Sequence, residues 1–214
     1  MLKSADGVIR MGLGYDLEVK DKPVYDAVSR LFDIFATLVS LVVGLPIVLI
    51  AAVAIKIEDG GPVLYSQARL GKGGKVFTIY KMRSMRVDAE VNGAQWTDTD
   101  DDRITKVGRF IRKTRIDEIP QLYNILVGNM KIIGPRPERP KLAEEFCVDL
   151  PEFANRLAVR PGLTGLAQVN GGYDLTPAEK LAWDVEYIQN RGLWLDLKIL
   201  LKTIGVVFSG NGAR

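Results

Sequence analysis

The sequence predicts a mostly helical α+β protein: an apolar, membrane-contacting helix followed by a small polar domain with one short β-hairpin. Three observations carry this reading. From Ile34 to Ile55 the chain holds no charge and only Thr37 and Ser40 as polar side chains. Beyond residue 58, two short β-branched and aromatic runs flank a glycine-rich turn. The apolar residues that follow recur at helical rather than strand spacing. At 214 residues there is room for one sizeable core and an appendage. We divide the chain into an amino-terminal arm (1–24), a membrane segment (25–57) and a polar domain (58–214).

The apolar run would extend roughly 33 Å as a helix, about the hydrocarbon thickness of a bilayer. It starts too far into the chain, and lacks the small-residue cleavage site, for a signal peptide. Gly44 and Pro46 fall at its middle, where proline removes a hydrogen bond and favours a bend. Cations on both flanks (Lys20, Lys22 and Arg30 before, Lys56 after) pull both ends to the same side of the membrane. Proline is also tolerated in spanning helices, so these residues alone leave a spanning and a re-entrant helix both open.

After the turn residues Glu58 to Pro62, the runs Val63–Tyr65 and Val76–Tyr80 form the expected hairpin around Gly71–Gly74. Those glycines match no phosphate-loop spacing and read as a plain turn. Lys81, Arg83 and Arg86 follow as a basic edge, either solvated or facing phosphate. The acidic run Asp98, Asp100, Asp101 and Asp102 lacks the glycine and terminal glutamate of a calcium loop and reads as a loop or helix cap. Arg103–Arg115 is helix-like, with Ile104, Val107, Phe110 and Ile111 on one face. A further helix is expected from Pro177 to Gln189. Leu193–Phe208 reads as core or as an interfacial helix. The arm, with Gly7, Gly12 and Gly14, reads as loosely held.

Composition narrows the chemistry. There is no histidine, which excludes histidine-based triads, histidine zinc sites and imidazole acid–base catalysis. The single cysteine, Cys147, allows no disulfide framework and suits a reducing compartment. A net charge of +3 fits an anionic ligand or membrane surface but is too small to argue for nucleic acid.

The most informative stretch is Lys113 to Arg139. Asp117 and Glu118 sit between Arg109, Arg112, Lys113 and Arg115 on one side and Lys131, Arg136 and Arg139 on the other. The surplus of cations calls for an external anion, and arginine's planar fork suits phosphate. Two readings of Asp117 stand open. It caps the helix that Leu122, Ile125 and Leu126 would bury, or it is held at a phosphate site as a nucleophile, base or metal ligand. Gly134-Pro135-Arg136-Pro137 is a rigid turn presenting one arginine between two fixed φ angles. Arg160-Pro161-Gly162-Leu163-Thr164-Gly165 is another.

Taken in order, these motifs resemble the bacterial sugar transferases, the monotopic phosphoglycosyl transferases. The resemblance runs from about Arg30 to the end. It rests on Asp59–Pro62, Tyr80–Met85, Asp101–Thr105, Asp117–Leu122, Gly134–Pro137, Arg160–Gly165 and Leu195–Leu200. It implies transfer of a sugar-1-phosphate from a UDP-sugar to polyprenol phosphate, with UMP released and Mg²⁺ required. It also implies a helix-break-helix membrane segment kinked near Pro46, both ends facing the cytoplasm, at the bacterial inner membrane, with interfacial amphipathic helices on the catalytic domain.

By this resemblance Asp117 is the nucleophile, and Glu118 helps hold Mg²⁺ or assists proton removal, so both are expected metal ligands. Arg136 and Arg112 hold phosphate, Lys81 and Arg83 belong to the substrate surface, and Asp196 contributes a polar group. The expected partners are the nucleotide sugar, the lipid acceptor and the bilayer, with a second copy or downstream glycosyltransferases as further candidates. Two departures are local: Leu45 precedes Pro46 where serine is common, and Asp102 stands where proline often follows two aspartates. The chain resembles the minimal catalytic form of the family. The competing expectation is a non-catalytic, membrane-attached protein that only binds polyprenol phosphate. A membrane-anchored phosphatase or nucleotidyl transferase is a third.

Overall fold

The computed structural model describes residues 2–3, 9–10, 16–89, 91 and 101–209. Its dominant element is α1, Pro23–Asp59, a helix of 37 residues opened by proline in its first turn and closed by Gly60 in the left-handed region (φ 72°). Pro46 lies inside it and helical backbone continues on both sides. The break expected near Pro46 is therefore not a loss of helix.

The helix is inverted relative to an ordinary surface helix. Its large apolar side chains, among them Phe35, Val42, Leu49 and Val53, are exposed. The stripe it buries against the domain is polar or small until its last turn: Tyr25, Ser29, Asp33 and Thr37, then Gly44 and Ala51, and finally the apolar Ile55. The four- and seven-residue steps keep this stripe on one face. Arg30 donates to the end carbonyls of a short helix at Ile125 (2.6 Å) and Leu126 (2.7 Å). The Asp33 carboxylate accepts from the Ile132 N–H (3.0 Å). At the other end the Glu58 carboxylate accepts from the Lys106 and Val107 N–H groups (2.7 and 3.0 Å).

The two-residue strands β1 (Leu2–Lys3) and β2 (Ile9–Arg10) pair antiparallel before α1. The expected hairpin is present as β3 (Leu64–Leu70) and β4 (Val76–Met82), longer than the sequence runs indicated. The helix expected from Arg103 starts later: α2 is Lys106–Lys113, capped by the Thr105 hydroxyl, which accepts from the Gly108 N–H. There is no room for a side chain at Gly108, because the backbone carbonyl of Ser84 lies against it. Then come α3 (Gln121–Leu126), β5 (Lys131–Ile133), α4 (Pro140–Asp149), β6 (Gly162–Thr164) and the single turn α5 (Leu166–Val169). β5 and β6 pair in parallel, Lys131 with Gly162 and Ile133 with Thr164. That register sets the Gly134–Pro137 turn beside the Arg160–Gly165 turn.

Two long helices end the fold. α6 (Pro177–Asn190) opens with a capping box between Thr176 and Glu179. α7 (Leu193–Ser209) buries Ile199 while exposing Leu193, Trp194, Leu197, Leu201 and Ile204. One face is thus core, as one of the two readings expected, and the other is an exposed apolar face. The described part of the arm is not loose. Leu17 and Val19 pack against the cluster of Ile133, Tyr187, Ile188 and Ile199, and Lys22 donates to Arg191 O (2.6 Å). Of the acidic run, Asp98 and Asp100 lie outside the described residues, and Asp101 pairs with Arg103 (2.5 Å).

The core that positions the site joins β4 to α3. Phe77 and Ile79 meet Leu122, Ile125 and Met130, and the fully buried Asn124 crosses the same interface. Its side-chain oxygen accepts from the Tyr80 N–H (3.2 Å) and its amide donates to Thr78 O (2.7 Å). Replacing Asn124 by Leu leaves two part-buried backbone groups, the Tyr80 N–H and Thr78 O, without these partners. We expect a loss of about 2–4 kcal/mol, read as a lower Tm of the detergent-solubilised chain; Asn124→Asp, which sets a buried carboxylate against Thr78 O, loses at least as much.

Candidate active site

Two adjacent carboxylates are brought together with cations from distant parts of the chain. Before them, Arg115 takes a left-handed conformation (φ 59°), unusual for a residue with a side chain. This reversal ends α2 and starts the tight turn Ile116–Glu118. Asp117 and Glu118 are both buried, at 6% and 9% exposure. The reading of Asp117 as a helix cap is not what the structure adopts. Pro120 occupies the cap position of α3, without any side-chain capping bond. The turn displaces Asp117 from the helix end, so its carboxylate is not committed to backbone N–H groups.

β4 delivers Lys81, whose Nζ lies 2.9 Å from Glu118 Oε1 and 3.7 Å from Asp117 Oδ2. The Gly134–Pro137 turn delivers Arg136, whose Nη2 donates to the same Glu118 oxygen at 2.6 Å. α2 delivers Arg112, which donates through Nε to the Ser84 hydroxyl (2.9 Å). Its buried Nη1 has no hydrogen-bond partner among the described residues. Lys81, Glu118, Arg136 and Asp117 therefore form one cluster, with Arg112 close enough for its charge to act on Asp117.

The two carboxylates experience opposite fields. Burial disfavours charge on both. At Glu118 that penalty is outweighed by Arg136 and then Lys81, which hold its carboxyl well below the usual glutamate range. At Asp117 burial wins and pushes the carboxyl above the usual aspartate range, although Lys81 opposes it; the Glu118 charge adds to the rise. Glu118 is thus a fixed, ionised anchor. Asp117 keeps its oxygens comparatively uncommitted, with Lys81 its one ion-pair partner among the described residues.

Other expected site residues lie in different settings. Arg83 pairs with Asp59 at the end of α1, and its N–H donates to Val63 O (2.8 Å). Asp196, on α7, accepts from the Tyr25 hydroxyl (2.8 Å). Lys131 donates to the Ser29 hydroxyl (2.8 Å) and lies over the Tyr25 ring. These three fasten α1 to the domain and have no contact with the acid pair among the bonds the structure gives them. Sequence reasoning missed Ser84, which holds Arg112, and the buried group Arg156, Glu138 and Asp184 behind Arg136. Ser84 could have been noticed within Lys81–Met85; Arg156 lies in no motif.

A profile of the bacterial sugar transferases matches residues 24–210. The chain belongs to the bacterial sugar transferase family. Among its relatives is a UDP-N-acetylgalactosamine-undecaprenyl-phosphate N-acetylgalactosaminephosphotransferase of Aeromonas hydrophila, 44% identical over 90% of this chain and 46% of that protein. A UDP-glucose:undecaprenyl-phosphate glucose-1-phosphate transferase of Caulobacter vibrioides is 40% identical over 88% of this chain and 72% of that protein. An undecaprenyl-phosphate galactose phosphotransferase of Salmonella typhimurium is 38% identical over 86% of this chain and 41% of that protein. The chain thus spans less than half the length of the Aeromonas and Salmonella relatives.

In this family member the residues present fit a magnesium ion held jointly with a substrate. Among the described residues no group of three or more acidic, histidine or cysteine side chains converges. Magnesium is commonly bound by only one or two carboxylates, with substrate phosphates and water completing the shell. Asp117 and Glu118 supply that number.

The field at the acid pair gives a direct test. Lys81 favours the charged form of Asp117, so Lys81→Met should move the Asp117 titration further up. Glu118→Gln, which removes a negative neighbour, should move it down. Carboxyl-carbon NMR of the metal-free chain reads both. An Asp117 titration unmoved by Lys81→Met would mean that Lys81 does not govern this carboxylate.

Proposed function

We propose that the chain transfers a sugar-1-phosphate from a UDP-sugar to polyprenol phosphate through a covalent intermediate on Asp117. The observation that carries this reading is the asymmetry of the acid pair. Neighbouring carboxylates pushed to opposite protonation tendencies mark a division of labour. Glu118, clamped by two cations, anchors; Asp117, with its lone pairs uncommitted, attacks. An ionised carboxylate needs no general base to become a nucleophile, which suits a chain without histidine.

In the first step an Asp117 oxygen bonds to the β-phosphorus and the bond from that phosphorus to the bridging oxygen breaks. UMP leaves with the bridging oxygen, and the sugar keeps its own bond to phosphate. In the second step a phosphate oxygen of the lipid acceptor attacks the same phosphorus. The aspartyl–phosphorus bond breaks, the Asp117 carboxylate is regenerated, and a polyprenyl diphosphate sugar forms. Phosphoryl transfer demands charge stabilisation and in-line positioning more than covalent chemistry. Arg136, Lys81 and Arg112 hold the donor phosphates. Magnesium bound by Asp117 and Glu118 would neutralise charge building on the leaving phosphate.

We assign α1 to the inner membrane as a re-entrant helix with both ends on the cytoplasmic face. Its exposed face is apolar through Ile34–Ile55, and it is long and apolar enough to cross a bilayer. The same polar domain, however, touches it from Tyr25 to Asp59. A crossing with its ends on opposite sides would carry ion pairs of that domain into hydrocarbon, at high cost. The re-entrant placement keeps the acid pair near the headgroups, where the acceptor phosphate lies. The transferred sugar stays open, since relatives named for three different sugars share the matched region.

Incubation with Mg²⁺ and a panel of UDP-sugars, without lipid, should add the mass of one sugar-phosphate in intact-protein mass spectrometry. Asp117→Asn should show no adduct and lose activity on the order of 10³-fold or more. Lipid-dependent UMP release without any adduct would instead mean direct transfer and remove Asp117 as nucleophile. A separate expectation concerns the metal: EDTA should abolish turnover and added Mg²⁺ restore it. Full turnover in excess EDTA would exclude the metal's part in the reaction.

A further inference from the structure

The Pro-Arg-Pro turn cannot hold itself, because Pro135 and Pro137 have no N–H to donate. Its backbone is fixed from outside through four consecutive carbonyls. Pro135 O accepts from the Gly162 N–H (2.9 Å), and Glu138 O accepts from the Leu70 N–H (2.9 Å). The two between them are held by arginine side chains: Arg136 O by Arg156 Nη2 (3.0 Å) and Pro137 O by Arg69 Nη1 (2.9 Å). The residue that presents its guanidinium to Glu118 is therefore gripped at its own carbonyl by a second guanidinium from another part of the fold.

Arg156 is itself immobilised. It is 6% exposed and lies over the Phe153 ring. Its Nε donates to Asp184 Oδ2 at 2.6 Å, and its Nη1 reaches Glu138 Oε1 at 3.4 Å. Asp184, on α6, is 1% exposed, and its other oxygen has no hydrogen-bond partner among the described residues. Burying such charges is costly, and an apolar replacement of similar volume would serve stability as well or better. What this arrangement supplies beyond stability is a rigid connection from α6 to the turn carrying Arg136.

We infer that Arg156, oriented by Asp184, is a positioning residue that fixes the Arg136 backbone so that its guanidinium stays aligned with Glu118 and with the phosphate of the donor. The inference rests on the transferase reading only for the identity of that donor; a polyanion site at Arg136 suffices for the rest. Arg156→Lys keeps the charge but loses the planar fork that reaches Asp184, Glu138 and Arg136 O together. The turn then gains freedom, and small displacements at a phosphoryl-transfer site are expensive.

A double-mutant cycle on the full-length chain in detergent tests this, using Arg156→Lys, Arg136→Lys and both together. Two readouts are taken: affinity for inorganic pyrophosphate, and kcat/KM with a UDP-sugar and polyprenol phosphate. Arg156→Lys should weaken pyrophosphate binding by about tenfold. Because it acts through Arg136, the double variant should match Arg136→Lys within about twofold. Multiplying effects, or pyrophosphate affinity of Arg156→Lys within about twofold of the unaltered chain, overturns the inference. Should Arg156→Lys fail to fold, Asp184→Asn takes its place in the cycle with the same criterion. A coupled pyrophosphate cycle in a chain that transfers no sugar-phosphate from any donor would overturn the transferase reading and leave the positioning role standing. An uncoupled cycle, or no pyrophosphate binding, in an active chain would do the reverse, and a chain that neither binds pyrophosphate nor transfers a sugar-phosphate would overturn both.

Discussion

At Glu118 one buried carboxylate oxygen receives Lys81 from a β-hairpin and Arg136 from a proline-fixed turn. Those two groups lie far apart in sequence, and only the anion between them draws them to one point. Without it, two cations would face each other at low dielectric, where like charges repel strongly. Nor could the anion be buried without both cations, since an isolated ionised carboxylate in the interior is too costly. The three groups stabilise one another's burial, and Asp117 inherits its setting from them. It sits beside a neutralised neighbour, near cations that are already partly satisfied.

The long apolar helix α1 depends on a second constraint of the same kind. A helix with apolar residues around most of its surface has no intrinsic preference for how it rests on a polar domain. The preference comes from the exceptions. Asp33 takes the Ile132 N–H, Arg30 caps the end of α3, and Tyr25 reaches Asp196 on α7. These bonds give partners to the Ile132 N–H and the Leu126 carbonyl and add a second donor at Ile125 O. α1 is therefore a structural member of the polar domain, although its exposed face is apolar. The acid pair's place relative to the apolar face of α1 follows from where these polar contacts lie along the helix.

Much of this organisation was legible in the residues. The charge-free run, the hairpin around Gly71–Gly74, the final two helices and the Asp117–Glu118 pair with Arg136 all follow from spacing and composition. The sequence also separated Arg136 from other cations, because two flanking prolines pre-set its backbone. It could not separate Lys81 from Arg83. Both stand in one basic stretch, and strand alternation assigns them to the same side. The strand ends at Met82, and Arg83 turns instead to Asp59 at the end of α1. Nor did the sequence show that Asp196 and Lys131 bond to α1: a charge in a motif carries no sign of whether its partner is a substrate or another element of the fold.

The sequence by itself determined the chemistry available: carboxylates and cations without histidine, one apolar helix, and two rigid turns rich in proline and glycine. These are local properties, set by side-chain type, fixed φ angles and hydrophobic period. Tertiary structure alone decided which carboxylate is clamped and which is left uncommitted. That outcome depends on distances between groups from four separate segments. It likewise decided that Asp117 does not cap α3, because the turn at Arg115–Glu118 moves it off the helix end. The grip of Arg156 on the Arg136 carbonyl belongs to the same class. A backbone acceptor has no letter in the sequence, so its partner is found only once the chain has folded.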